Sequence, residues 1–468
     1  MNVTQALNNQ NSLLLSFFSP TMVTLKASYM VKPTKETPTG LMYLSEFDQL
    51  VAITHAPTVY FYQPSGELTL NSVIHTLKDS LSKALIIFYP LAGRLQWIAR
   101  GRLQINCNSM GAQFFEAESE AKIDDFGDFC PSSKIRALIP SVDYDRPIHE
   151  LPLLLVQVTK FSCGGFSLGL GISHILADGE CAGHFISEWA RIARGKKPEN
   201  FPFLDRTILQ LEDPLLKTSF DISDFNPPPL LIGHSNNTEE RNKKTVVVML
   251  KLSKEQINKL KNKANEYRNS ETSTNRAFTR YESVTAHLWK CACKARQHES
   301  KQLTKIRIPV NFRSRLQPPL PKWYFGCAAL PVATTTTSGD IVSKPLSYAA
   351  EKLREVIENV TDEYIRSCFV FLKNEPDLSK FRYFHIVGSS QGVFQGNPNI
   401  SVTDWTRLPL YGADFGWGKE IYMVPGAIGF DGKAFILPGR DEDSSFLIPW
   451  RLQETHMDAF KKFFYDDI

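Results

Sequence analysis

The spacing of apolar residues changes several times along the chain, and each change marks an element. PTVYFYQP (57–64) is β-branched and aromatic and predicts a strand. Over 70–88 the residues Val73, Leu77, Leu81 and Leu85 fall at helical spacing, so a helix is expected that stops before YPLAGRL. LPLLLVQVTKF (151–161) predicts a buried strand, SCGG a turn and FSLGLGIS the returning strand, which together make a hairpin. HILADG comes next. After it a helix is expected over roughly 180–194, with Ala182, Phe185, Ile186, Trp189, Ile192 and Ala193 on one apolar face.

Residues 196–245 lose this periodicity. They carry Pro202, Pro214 and Pro227 to Pro229, then the polar run HSNNTEERNKK, and read as a long crossover between two folded parts. TVVVMLKL then predicts a strand. Ser253 with Gln256, and Thr279 with Glu282, form capping boxes for helices over about 254–267 and through HLWKCACKAR. Further on, KIRIPVNF (305–312) predicts a strand, 347–360 a helix, 420–425 and 433–437 strands, and LQETHMDAFKKFF a closing amphipathic helix. No short fixed period repeats.

Composition narrows the class only modestly. Hydrophobic residues make up 43% and charged residues 22%, as in ordinary globular chains. A net charge of +4, from 53 Lys+Arg against 49 Asp+Glu, argues against nucleic-acid binding but leaves room for a local basic mouth. The eight cysteines show no Cys-x-x-Cys pair, and Cys291-x-Cys293 lacks zinc-spaced partners, so free thiols in a reducing compartment are expected. SLLLSFF near the N-terminus is too short to span a bilayer, and no other segment reaches membrane length. A cytoplasmic protein without membrane attachment is the expectation, with residues 1–21 a dispensable extension ahead of Met22.

The chemistry concentrates in GISHILADGECAGHF (171–185). A histidine after a strand is most often a satisfied core or turn residue. His174, however, ends its strand where side chains can reach a cleft, and the Asp178-Gly179 turn lets the backbone re-aim. Its imidazole can accept a proton at neutral pH. Asp178 could hold the ring or the loop. A metal on His174, Asp178 and His184 is disfavoured, because Asp-Gly breaks the helix that would bring these residues together. GFSLG (165–169) matches a hydrolase Gly-x-Ser-x-Gly, but Ser167 lies inside a strand and the helix begins too late. YGADFGWGKE (411–420) resembles a phosphate loop through Gly418-Lys419, but lacks the first glycine and the Ser/Thr; it reads as a turn packed by aromatics.

His174-x-x-x-Asp178-Gly179 with a distant Asp414-Phe415-Gly416-Trp417-Gly418 resembles the plant BAHD acyltransferases, and YPLAGRL and NFRSRLQPPLP agree from Met22 onward. The resemblance implies an α/β fold of two chloramphenicol-acetyltransferase-like domains, each a mixed sheet with flanking helices, around an interfacial channel. The domains would be 22–195 and 246–468, joined by the 196–245 crossover, with a segment near 385–405 packing against the first. It also implies a monomer that binds no cofactor and uses acyl-CoA as co-substrate. His174 would be the general base and Asp178 a structural brace paired with Arg313. DFGWG would be a structural motif away from the catalytic centre, and Trp405 or Thr403 would donate to the oxyanion.

The same resemblance bears on the acceptor. Relatives that use shikimate or quinate hold the acceptor carboxylate with an arginine before the tryptophan, whereas 385–405 contains neither Arg nor Lys. With GNPN, KASYMVKPTKETPTG and THAPTVYFY, the chain looks most like the spermidine hydroxycinnamoyl transferases. N-acylation of a polyamine amine is therefore expected, with O-acylation of a shikimate- or quinate-type alcohol as the alternative. Cys327 stands in YFGC where the family carries asparagine.

Overall fold

The strands run in chain order as β1 (Thr24–Val31), β2 (Gly40–Met42), β3 (His55–Tyr62), β4 (Arg94–Ile98), β5 (Arg102–Cys107), β6 (Ala112–Ser119), β7 (Leu154–Phe161), β8 (Phe166–Ser173), β9 (Thr245–Leu252), β10 (Leu303–Asn311), β11 (Ala329–Thr337), β12 (Ile400–Asp404), β13 (Tyr422–Pro425), β14 (Lys433–Pro438) and β15 (Phe446–Gln453). The computed structural model describes residues 23–63, 69–211, 220, 222–266, 276–382, 395–440 and 443–468. The N-terminal extension and about half of the 385–405 segment lie outside these.

Two mixed six-stranded sheets organise the chain. The first has the order β1-β6-β7-β8-β3-β13, and the second β11-β10-β12-β14-β15-β9. A small sheet, β2-β5-β4, flanks the first. Helices α1 (Leu70–Ile87) and α2 (Gly179–Ala193) belong with the first sheet. Helices α3 (Lys254–Asn265), α4 (Arg280–Arg296), α5 (Leu346–Glu358), α6 (Asp362–Asn374) and α7 (Glu454–Asp466) belong with the second. Both capping boxes form, at Ser253 and Thr279.

Helix α6 and strands β11 and β15 are among the elements that the local pattern does not predict. TTTT in β11 and the internal proline of FLIPWRLQ in β15 blur the period-2 signal, so pairing with neighbours defines these strands.

Of the segment expected near 385–405 to pack with the first part, residues 385–394 lie outside the described residues, 400–404 form a strand of the second sheet, and Trp405 packs against the first sheet's apolar cluster. Farther on, Tyr422–Pro425 pairs antiparallel with β3 of the first sheet. A third apolar cluster joins the sheets there: Val59 and Phe61 of β3 and Val424 of β13 pack with Leu437 and Leu447. The C-terminal half thus completes the edge of the N-terminal sheet.

Strand β8 leads directly into the His174 turn. All eight of its residues are buried, so it has no polar alternation. Gly169 is obligatory, because a Cβ there would lie 2.0 Å from the Leu138 carbonyl of the β6–β7 connection. Helix α2, on the other side of the turn, buries Phe185, Ile186 and Trp189, about 1.5–3 kcal/mol for each side chain. Trp189 Nε1 donates to Ser80 Oγ on α1 at 2.9 Å. Both ends of the turn are therefore fixed.

Candidate active site

His174 is the first residue after β8. Its amide donates to the Thr54 carbonyl at 2.9 Å, and its own carbonyl accepts from Cys327 Sγ at 3.2 Å. The backbone is thus pinned from both sides while the ring stays free. Nδ1 is buried and meets no partner in good geometry; only the residue's own carbonyl lies near enough to favour the protonated ring. Nε2 has no hydrogen-bond partner among the described residues, which leaves it as the nitrogen able to take a proton. Burial lowers the ring's pKa below its ordinary 6.5, and the Lys433 charge pushes the same way against the pull of Asp178. The imidazole is therefore neutral at physiological pH.

Asp178 does not touch the ring. Its carboxylate caps α2 by accepting from Cys181 N at 3.1 Å, and it accepts from Ala328 N at 3.0 Å. Arg313 forks onto it, Nη1 to Oδ2 at 2.8 Å and Nη2 to Oδ1 at 3.0 Å. Burial alone would raise its pKa, but the guanidinium and the amide donors outweigh that and hold it below 3.8. With these four bonds the carboxylate is fully used. It ties the start of α2 to the β10–β11 connection, one sheet to the other.

A second brace lies behind the first, and no periodic signal in the sequence marks it. Arg206 and Asp48 form a fully buried ion pair at 3.1 Å. Arg206 donates to the Leu176 carbonyl at 2.7 Å, and Asp48 accepts from Cys327 N at 2.7 Å. Cys327 therefore connects this pair to the His174 carbonyl. Burial, together with the nearby carboxylates, keeps its thiol protonated, so it donates weakly. Cys327→Ala should lower kcat by about 3–10-fold, the loss of one net hydrogen bond, with KM for acyl-CoA unchanged. Cys327→Asn, which restores an amide donor, should retain activity. Steady-state kinetics on both variants checks this, and an unchanged Cys327→Ala would remove Cys327 from any positioning role.

The other expected site residues lie on β12 and just after it, beside β14, whose Lys433 charge acts on the His174 ring. Lys433 Nζ donates to Thr403 Oγ1 at 2.6 Å and to Ser401 Oγ at 3.2 Å. The Thr403 hydroxyl hydrogen stays available for a further acceptor. Trp405 lies on the Phe435 ring with centroids 4.6 Å apart and is only partly buried. Just beyond it opens a cavity of about 930 Å³, lined by Asp404, Thr406, Arg407, Lys419 and Arg440, with Lys261, Arg276 and Arg280. None of its six basic residues has an ion-pair partner within 4.0 Å among the described residues. Its acids are engaged: Glu420 accepts from the amides of Gly412 and Ala413, Asp404 from Thr406, and Glu282 from Arg354. His174 does not line this cavity. This is the local basic mouth that a net charge of +4 left open.

The other motifs lie apart. Asp414 Oδ1 accepts from Gly416 N at 2.8 Å and Gly418 N at 3.0 Å, and both glycines have positive φ. Phe415 packs edge-on against Trp189, and Tyr62 donates to the Ala413 carbonyl, so DFGWG fastens the crossing segment to α2 and β3. Ser167 pairs with Phe61 and Thr159 mid-sheet, about 20 Å along the strand from His174. His184 Nε2 donates to the Asn200 carbonyl at 2.8 Å, and the ring packs on Phe88 and Trp323. Among the described residues no group of His, Cys, Asp and Glu could hold a metal ion, and no helix is long and apolar enough to cross a membrane.

Comparison with known proteins places the chain by family and fold. The Transferase family model matches residues 21–467. The chain is 46% identical over 450 residues to hydroxycinnamoyl-CoA:piscidic acid hydroxycinnamoyltransferase of Actaea racemosa, covering 96% of this chain and 100% of that one. It is 41% identical to shikimate O-hydroxycinnamoyltransferase of Nicotiana tabacum, covering 95% and 99%. The crystal structure of vinorine synthase superposes with a TM-score of 0.69 at 24% identity, covering 93% and 96%, a likeness of fold. The chain belongs to the BAHD family of acyl-CoA-dependent acyltransferases.

Proposed function

We propose that this acyltransferase moves a hydroxycinnamoyl group from its CoA thioester to a hydroxyl of a small acceptor, with His174 as general base. The observation that carries the reading is the His174 ring: neutral, held by its backbone, with Nε2 unpartnered among the described residues. Nε2 takes the acceptor's proton as the oxygen attacks the thioester carbonyl. The tetrahedral oxyanion accepts from the Thr403 hydroxyl or the Trp405 indole N–H. The Lys433 donation to Thr403 polarises that hydroxyl and strengthens it as a donor. Collapse expels the CoA thiolate, which takes the proton back from His174. The six cations of the basic cavity suit the phosphates of CoA and favour entry of the donor from that side.

On the acceptor, the relatives support the O-acylation alternative above the polyamine reading. Two of them are named for piscidic acid and shikimate. The polyamine expectation rests on the lack of a cation within 385–405, and a cation on another strand escapes it. Purified protein given p-coumaroyl-CoA should release thiol with hydroxy acids such as shikimate or quinate and not with spermidine. Release with spermidine alone would overturn the acceptor, and His174→Ala at full activity would overturn the base.

A further inference from the structure

Lys433 is the residue of the site that its protein neighbours leave least satisfied. It opens β14, KAFILP, a strand otherwise apolar. Two of its three ammonium donors go to the neutral hydroxyls of Thr403 and Ser401, and Nζ stands 4.8 Å from the Phe435 ring centroid. No carboxylate lies within 4.0 Å among the described residues. Four other enclosed cations pair with carboxylates: Arg206 with Asp48, Arg296 with Asp431, Arg313 with Asp178 and Arg354 with Glu282. Arg94 and Lys305 donate instead to backbone carbonyls, whereas Lys433 has only two side-chain hydroxyls. Lys433 is only partly exposed.

An ammonium held away from water without a counter-ion is costly, and burial lowers the Lys433 pKa to about 7. The surrounding charges offer no relief. His174 is neutral, and Arg451, its partner across the β14–β15 ladder, is held by Thr245 Oγ1 and the Ile428 carbonyl. Asp431, two residues upstream, is occupied by Arg296 and the amides of Asn397 and Gln453. The missing partner is an anion brought by a substrate. It would sit between Lys433 and His174, close enough to both that the lysine charge acts on the imidazole.

We propose that Lys433 anchors the carboxylate of the acceptor, so that this enzyme acylates hydroxy acids rather than neutral alcohols or polyamines. This rests on the O-acylation reading and adds to it the charge of the acceptor and the residue that selects it. A polycationic acceptor meets a like charge at this position and is repelled. The third ammonium donor pairs with the carboxylate and fixes which hydroxyl faces His174 Nε2. Bound anion also favours the protonated lysine, so acceptor binding and Lys433 protonation reinforce each other.

The test compares shikimate and quinate with their methyl esters, using p-coumaroyl-CoA and thiol release at pH 6.5, in wild type, Lys433→Met and Lys433→Arg. Wild type should prefer acid over ester. Lys433→Met should lose about 10–100-fold in kcat/KM on the acids, the worth of a charged hydrogen bond, mainly through KM. KM for the esters and for p-coumaroyl-CoA should change little. Any loss of kcat through Thr403 is shared by acids and esters, so the readout is the acid-to-ester ratio, and Lys433→Arg should restore most of that preference. A measurement on wild type alone guards against a variant that fails to fold: KM for the acid should rise above pH 7 while KM for the ester stays flat. Acid preference surviving in Lys433→Met, or turnover of esters and neutral alcohols but not acids, sinks the Lys433 assignment and leaves O-acylation standing. Turnover of spermidine alone sinks both.

Discussion

His174→Ala should turn over about 10²–10⁴-fold more slowly than wild type, the range that a positioned general base supplies, with KM for acyl-CoA little changed. The variant should fold, because the Thr54 and Cys327 bonds that fix this turn run through the backbone of residue 174 and survive loss of the ring. The pH profile separates a base from a packing residue. The base is active when deprotonated, so kcat/KM should fall as pH drops through the folded pKa of His174. Burial first, with the Lys433 charge acting the same way, puts that midpoint below 6.5. Lys433→Met, measured with a methyl ester acceptor, should move the midpoint up, since a like charge has been removed. An alanine variant that keeps the acidic limb would assign that limb to another group and remove His174 from the reaction.

One half of this site is legible in the sequence and the other is hidden. His174 and Asp178 sit four residues apart at a strand–turn–helix junction, where local pattern is informative. The hairpin before them and helix α2 after them come directly from period. The residues that complete the site arrive from strands far along the chain. Lys433 is a single lysine at the head of an apolar strand, which in sequence is indistinguishable from a solvated strand end. The Arg206–Asp48 pair joins residues 158 positions apart with no motif at either. A second crossing, β13 pairing with β3, is not legible as such, because a four-residue strand carries too little pattern to name its partner sheet. The polyamine expectation has the same weakness. It weighs the cations of one segment, whereas sheet register brings a cation in from β14.

Asp178→Ala should cost about 3–5 kcal/mol of stability, since it strands a buried guanidinium, and should lower activity by loosening the turn that carries His174. The magnitude comes from enclosure: the Arg313 and Asp178 side chains are only 12% and 8% exposed, and four hydrogen bonds converge on the carboxylate. The pH dependence has a definite sign. A carboxylate with a depressed folded pKa gives stability that is fully present above its unfolded value and is lost as pH falls through the folded one. The Asp178 contribution should therefore hold at neutral pH and disappear only below 3.8. If the pair is a brace, Arg313→Leu combined with Asp178→Ala should be more stable than Asp178→Ala alone, because the unpaired charge is gone. Thermal melts of the three variants measure this coupling. Should Asp178→Ala melt like wild type yet lose activity as His174→Ala does, the carboxylate would be acting on the imidazole directly, against a geometry in which each of its bonds points elsewhere.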